Sequence, residues 1–339
     1  MFVAGGDNVP VHQGGGLGGV GRMRDDKSCR RWDDYALSLT AFGYQSLSLC
    51  DFWLSVGTSI RAKALPPCST EDLLMLNRLL ITGAAGGLAR LIRGDLGHIA
   101  TSLRLSDIAE PGDLPAGAQF VPCDLADAGA VDALVKGCDG ILHLGGISTE
   151  QGFDAILNAN LIGVRNLYEA ARRHGHPRIF LASSNHVVGF YRQEERLGTD
   201  APHKPDGWYG ISKSYAEAVA LMYFHKFGQE TAMVRIGSCF AEPRDHRMLA
   251  TWLAPEDFVS LTDRVFAAPR LGCPVIWGVS ANDVSWWDNS GAGHLGWTPR
   301  RSSAEFAAKV AAAVPRPAPT DPVAIWQGGA FTQAPIIED

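Results

Sequence analysis

From Arg78 onward, short apolar runs alternate with stretches whose apolar residues recur at helical spacing. Leu79, Leu80 and Ile81 form a run of the kind that a strand buried on both faces needs. Leu88, Leu91, Ile92 and Leu96 follow at roughly helical spacing and predict a helix over about 87–97. The same reading places strands over 102–105, 120–122, 140–144, 178–182 and 232–236, with helices over 127–136, 153–174 and 209–227 between them. Strands that alternate with helices predict a parallel sheet covered on both faces, an α/β doubly wound (Rossmann) fold. Beyond Gly237 the alternation fades. A helix over 255–266, a strand over 275–278 and a helix over 304–314 then read as a small C-terminal cap.

Residues 1 to about 74 show no such alternation and are rich in Gly and Ser, and Pro66-Pro67 closes the segment. Met75 stands directly before the first strong strand. The expectation is that Met75 or a neighbour is the natural start, and that residues 1–76 are a disordered or mistranslated leader. A peptide from residues 2–30 found by mass spectrometry of native protein would overturn it. The run from Ala36 is the nearest thing to a membrane span, but it carries several serines, Gln45 and Asp51. The domain plan becomes a leader over 1–76, a dinucleotide-binding unit over 77–237, and a substrate-capping region over 238–339 packed on it.

Composition narrows the partners. The chain has 339 residues, 46% of them hydrophobic, enough for one large core or two small ones. The net charge is -6 with no basic block, which argues against nucleic acid. Seven cysteines occur with no C-x-x-C spacing, so they read as reduced thiols of a cytoplasmic protein and not as a zinc site. His174 and His176 end a helix before Pro177, and no metal is expected there.

Two glycine-rich stretches compete for a dinucleotide. Gly16, Gly18 and Gly21 fit G-x-G-x-x-G, but no strand precedes them and no helical pattern follows. The second, T-G-A-A-G at Thr82–Gly86, sits between a strand and a helix, where a pyrophosphate finds free N–H groups. Gly83, Gly86, Gly87 and Leu88 are therefore the candidates, with Ala89 where a third glycine often stands. Asp107 ends the second strand, 24 positions after Gly83; an acidic residue there accepts from ribose hydroxyls and repels a 2′-phosphate, favouring NAD over NADP. Asp124 and Leu125 follow the third strand, beside the adenine in such folds, although Asp124 serves equally well as the cap of the next helix. Leu144, Gly145 and Gly146 end the fourth strand and let backbone pass close to the cofactor.

Tyr209 and Lys213 lie one turn apart at the start of a helix, and Ser184 ends the strand before it. A phenol is a weak base at neutral pH, and an ammonium beside it favours phenolate. The run Ser184-Asn185-His186 puts three polar side chains at a strand's C-terminal end, where such sheets bind ligands. Arg247 offers a guanidinium for a carboxylate, with Arg244 competing. Trp286 and Trp287 read as core, and Asn160 as a partner of helix backbone.

T-G-A-A-G, the strand-end serine and Y-x-x-x-K, in this order, resemble the extended branch of the short-chain dehydrogenase/reductase superfamily. LASSNHVVGFY, GWYGISKSYAE, KFGQETAMVRIGSCF, LGCPVIWGVSAND and WWDNS narrow the resemblance to the uronate dehydrogenases, over about residues 78–331. The resemblance implies NAD-linked oxidation of the anomeric C1 hydroxyl of cyclic galacturonate or glucuronate to an aldarolactone. It implies Tyr209 as proton acceptor and Lys213 on the nicotinamide ribose. Ser148, Ser184, Asn185, His186 and Ser238 would contact the sugar, Arg247 its C6 carboxylate, and Cys239 would pass its backbone near the nicotinamide. A homo-oligomer, specifically a hexamer, is implied as well. Two alternatives stay open: a nucleotide-sugar epimerase or dehydratase on the same fold, and a non-catalytic dinucleotide sensor.

Overall fold

The computed structural model describes residues 75–338. The expectations for residues 1–74, the leader and the G-x-G-x-x-G at Gly16 among them, lie outside the described residues. Within them the chain runs β1 (Leu76–Thr82), α1 (Gly87–Ile92), β2 (Ala100–Asp107), β3 (Gln119–Pro122), α2 (Ala128–Val135) and β4 (Gly140–His143). Next come α3 (Phe153–Ile156), a π-helical turn over Leu157–Ile162, α4 (Gly163–Arg173), β5 (Arg178–Ser184), α5 (Trp208–Phe227) and β6 (Thr231–Ile236). The last part holds β7 (Ser238–Cys239), α6 (Met248–Thr251), β8 (Trp252–Leu253), α7 (Pro255–Ala267), β9 (Val275–Gly278), α8 (Ala307–Ala313) and α9 (Pro322–Ile325).

Seven strands form one parallel sheet in the order β3-β2-β1-β4-β5-β6-β9. The doubly wound expectation is met, and the strand order reverses between β1 and β4. Side chains alternate along each strand between two cores, as the pleat demands. Leu79 and Ile81 join Phe180, Val234 and Phe258 on one face. Leu80 joins Ile141, Ile179, Leu181 and Met233, under α2, α4 and α5, on the other.

One expectation is corrected. Val275–Gly278 does not belong to a cap; it pairs with β6 from Met233↔Val275 to Ile236↔Gly278 and closes the sheet's edge. The strand–helix alternation that fades in sequence after Gly237 resumes through α7, whose length allows the crossover that a parallel neighbour requires. The predicted helix over 153–174 is continuous but contains the π turn, and that over 304–314 starts as a 3₁₀ turn at Ser303–Phe306. Asp127, not Asp124, caps α2, accepting from Gly129 N–H and Ala130 N–H. Trp286 and Trp287 are buried; Trp287 stacks on Trp277 at 4.9 Å.

Candidate active site

The turn after β1 and the loop after β4 meet at the point where strand order reverses. Gly83 has φ +70°, and a Cβ there would lie 2.7 Å from the Leu144 carbonyl and the Gly145 nitrogen. Glycine is thus required both by the left-handed backbone and by the close approach. Asp107 locks this turn, its Oδ2 accepting from Ala85 N–H at 2.9 Å and its Oδ1 from Ala109 N–H at 3.2 Å. Behind the turn, Thr82 Oγ1 accepts from Gly145 N–H at 3.1 Å and meets His143 Nδ1 at 2.8 Å. Burial pulls His143 down to about 3, so that imidazole is neutral.

A cavity of about 1120 Å³ opens from this turn across the C-terminal ends of the strands. That exceeds the roughly 300–1,000 Å³ of a typical small-molecule pocket, as a site for two occupants should. Every candidate residue of the sequence analysis lines it, from Gly83 and Asp107 to Arg247. Nothing stands within 4 Å of a Cβ built at Gly87, so the turn presents open backbone of the kind a dinucleotide lies against. Asp124 lines the same end and accepts from Ala126 N–H at 2.9 Å.

At the other end stands Tyr209, near the start of α5 and buried. Burial pushes its phenol up to about 12, with the Ser184 hydroxyl acting the other way and the charge of Asp206 adding to the rise. Lys213, one turn on, donates to the Ala182 carbonyl at 2.8 Å, and its nitrogen lies 5.7 Å from the Tyr209 ring centroid. Burial pulls this ammonium down to about 8. The Asn185 amide, turned so that its nitrogen donates to the Ile236 carbonyl (3.1 Å), accepts from Arg247 Nη2 at 2.7 Å. Arg247 Nε donates to the Gln327 carbonyl at 2.6 Å. Among the described residues no carboxylate pairs with Arg247 within ion-pair distance, although burial pulls it down only to about 10 and it stays charged. Arg244 lies over the Phe240 ring at 4.0 Å and is exposed. Ser238 Oγ is 2.9 Å from Thr251 Oγ1; Ser148 is exposed at the rim, and Cys239 lies beside Ser238 on β7.

Sequence reasoning missed four residues. Glu150 places both carboxylate oxygens on the first turn of α5, accepting from Trp208 N–H at 2.8 Å and Tyr209 N–H at 3.0 Å. An anion at a helix start satisfies two of its free donors and opposes the dipole. Asp206 meets His186 Nδ1 at 2.7 Å. Phe331, from the C-terminal segment, stacks on His186 at 3.8 Å. Gln327 holds that segment: its amide donates to the Arg192 and Glu195 carbonyls and accepts from Trp287 Nε1 at 2.8 Å. None of these stands in a short motif with its partner. Asn160, in the π turn, donates to Ser212 Oγ at 2.9 Å and clasps both polar groups of the Ile147 backbone.

The capping carboxylate gives a prediction. Glu150→Ala should destabilise the fold by about 1–2 kcal/mol, the usual worth of a helix cap, and lower Tm by a few degrees. Glu150→Gln, which keeps an acceptor, should recover part of that in the same thermal melt. A melt unchanged by the alanine variant would mean that α5 does not depend on this cap.

Residues 79–255 match the model of the NAD dependent epimerase/dehydratase family. The chain is 55% identical over 263 residues to a uronate dehydrogenase of Agrobacterium fabrum, a match covering 78% of this chain and 99% of that one. Among solved structures, a mutant uronate dehydrogenase from Agrobacterium tumefaciens complexed with NAD superposes with a TM-score of 0.76 at 55% identity, covering 78% and 99% of the two chains. A glucuronic acid dehydrogenase from Chromohalobacter salexigens gives the same score at 52% identity, covering 77% and 98%.

Proposed function

The chain belongs to the NAD-dependent epimerase/dehydratase family and, within it, to the uronate dehydrogenases; from that premise we propose that it oxidises the C1 hydroxyl of cyclic galacturonate or glucuronate and releases an aldarolactone. It is an NAD-dependent oxidoreductase that acts on uronates. The observation that carries the finer reading is the polarity of the cavity. The Arg247 guanidinium, with no carboxylate partner among the described residues, hydrogen-bonds Asn185 on the wall that also holds Ser184 and His186, which suits a polyol bearing one carboxylate.

The cofactor end fits NAD: Gly83, Gly86, Gly87 and Leu88 line the turn where the pyrophosphate would lie, with open space at Gly87, and Asp107 puts a carboxylate where the adenosine ribose would lie. Asp124 and Leu125 would flank the adenine, and Leu144, Gly145 and Gly146 would support the nicotinamide half together with Cys239. Bound NAD supplies the acceptor for the two electrons and the hydrogen that leave C1. Tyr209 takes the hydroxyl proton, Ser184 holds that hydroxyl in line, and Lys213, its nitrogen 5.7 Å from the phenol ring centroid, favours the phenolate by its charge. Arg247 fixes the sugar by its C6 carboxylate, so orientation supplies a large part of the rate.

Purified protein mixed with NAD and galacturonate or glucuronate should produce reduced cofactor, read by its absorbance. Conversion of a nucleotide sugar with no net cofactor reduction would favour the epimerase or dehydratase reading instead. The same reading puts the protein in the cytoplasm, where Cys123, Cys138, Cys239 and Cys273 stay free thiols. No helix among the described residues is long and apolar enough to cross a membrane. Ile211, Leu221 and Met222 expose apolar surface on α5, which supports a homo-oligomer; the hexamer would be read by light scattering.

A further inference from the structure

We propose that Asp206 is a positioning residue that makes His186 a hydrogen-bond acceptor for one ring hydroxyl of the sugar acid, and thereby sets which hydroxyl pattern the site takes. The inference rests on the reading of this cavity as a uronate site.

The Asp206 side chain is fully buried, and its Oδ2 lies 2.7 Å from His186 Nδ1. Its Oδ1 has no partner among the described residues. A buried carboxylate with an idle oxygen is costly, so a packing role does not account for it. Room is made for it from two directions. A Cβ on Gly189 or on Gly328 would overlap Oδ2, and these two glycines are themselves joined, Gly328 N–H donating to the Gly189 carbonyl at 2.9 Å. The carboxylate does not help the phenol lose its proton, since its charge raises Tyr209. What it touches is the imidazole.

An ionised carboxylate only accepts, so the hydrogen of a neutral His186 sits on Nδ1 and Nε2 keeps its lone pair. This tautomer is assigned from the hydrogen-bond network. Burial pulls His186 below its ordinary range, which keeps the ring neutral. Nε2 makes no hydrogen bond among the described residues, yet it is not among the atoms sealed away unpartnered, and the ring lines the cavity. Phe331 against one face, at 3.8 Å, stops the ring from turning. Of its neighbours on this wall, the Asn185 amide is taken up by Ile236 and Arg247, and Ser184 Oγ already accepts from His186 N–H at 3.2 Å and keeps its hydrogen to donate. His186 Nε2 is therefore an acceptor with no hydrogen bond of its own to give up when a sugar hydroxyl arrives.

Asp206→Asn tests this, because an amide can donate to Nδ1 and move the imidazole hydrogen to Nε2, turning acceptor into donor. With the full-length enzyme, kcat and KM are measured for the uronate and for its 2-, 3- and 4-deoxy forms, with the NAD Kd alongside. Asp206→Asn should raise KM for the uronate about 10- to 100-fold, the value of one hydrogen bond and its mismatch, with kcat and NAD affinity changed far less. One deoxy form that the wild type rejects should no longer be rejected by the variant. Unchanged rejection of all three forms would overturn the proposal.

A second measurement needs no folded variant at Asp206. In the ¹⁵N spectrum of histidine-labelled wild type, the His186 signal, identified by its loss in His186→Gln, should show a bare Nε2 that shifts when uronate binds. A protonated Nε2 would overturn the proposal. Wild type that reduces no NAD with any uronate would instead sink the functional reading, while the tautomer would still be readable from the substrate-free spectrum.

Discussion

Tyr209→Phe should lower kcat for uronate oxidation by ~10²–10⁴, the usual contribution of a general base, while the NAD Kd stays within about twofold. The substitution removes one oxygen from a buried ring and leaves its packing against His186 and Phe331 in place. On the proposed mechanism the oxygen matters because the site must turn an unwilling phenol into a base. Burial, with the charge of Asp206 adding and the Ser184 hydroxyl opposing, pushes it up to about 12, and a phenolate is then rare at neutral pH. Lys213 is a cation within reach, and although burial pulls it down to about 8 it stays mostly protonated at neutral pH. The sign of the pH dependence follows. A base works when deprotonated, so kcat/KM should fall as pH drops below the working pKa of Tyr209. Lys213→Met should move that inflection to higher pH. Steady-state rates across pH, with NAD binding measured separately, decide the matter; a phenylalanine variant within tenfold of wild type would place the base elsewhere.

Arg247→Ala should raise KM for the uronate by about 30-fold or more, with kcat affected less. Truncating one member of a buried charge pair costs about 2–5 kcal/mol, and every 1.4 kcal/mol is a factor of ten. In the free protein Arg247 spends Nε on the Gln327 carbonyl and one Nη2 hydrogen on Asn185, which aims the rest of the fork without neutralising it. Arg247→Lys should recover little, since a point charge cannot copy the planar fork. Arg244→Ala is the control: that side chain is exposed over Phe240, and its loss should change KM by no more than a few-fold. A wild-type KM in Arg247→Ala would move the carboxylate clamp to another residue.

Periodicity made the sheet legible because both faces of each strand are covered, so β1, β4 and β6 each carry a short apolar run, Leu79–Ile81, Ile141–Leu142 and Ala232–Val234. The turn at Gly83 was legible because a left-handed backbone pressed against Leu144 admits one residue type. The edge strand Val275–Gly278 was legible as a strand but not as a member of the sheet. Its partner β6 lies some forty residues earlier, and pairing across that distance leaves no local mark. The same holds for Glu150 on α5 and Gln327 under Arg247, whose partners stand 58–59 and 80 positions away. Buried Ser183, Glu217 and Arg235, with His203 at the exposed edge of the set, escaped for the same reason: they stand apart in sequence until the fold brings Glu217 to 2.8 Å from Arg235.

The closing segment walls the end of the cavity that holds His186 and Arg247 and not the turn at Gly83: Gly328, Ala330 and Phe331 line it, and Gln327 pins it to the loop after β5. It is a cassette. Exchanging roughly the last twenty residues for those of a neutral-sugar enzyme, with Gln327 retained as the pin, should then alter substrate preference and leave the turn at Gly83 untouched.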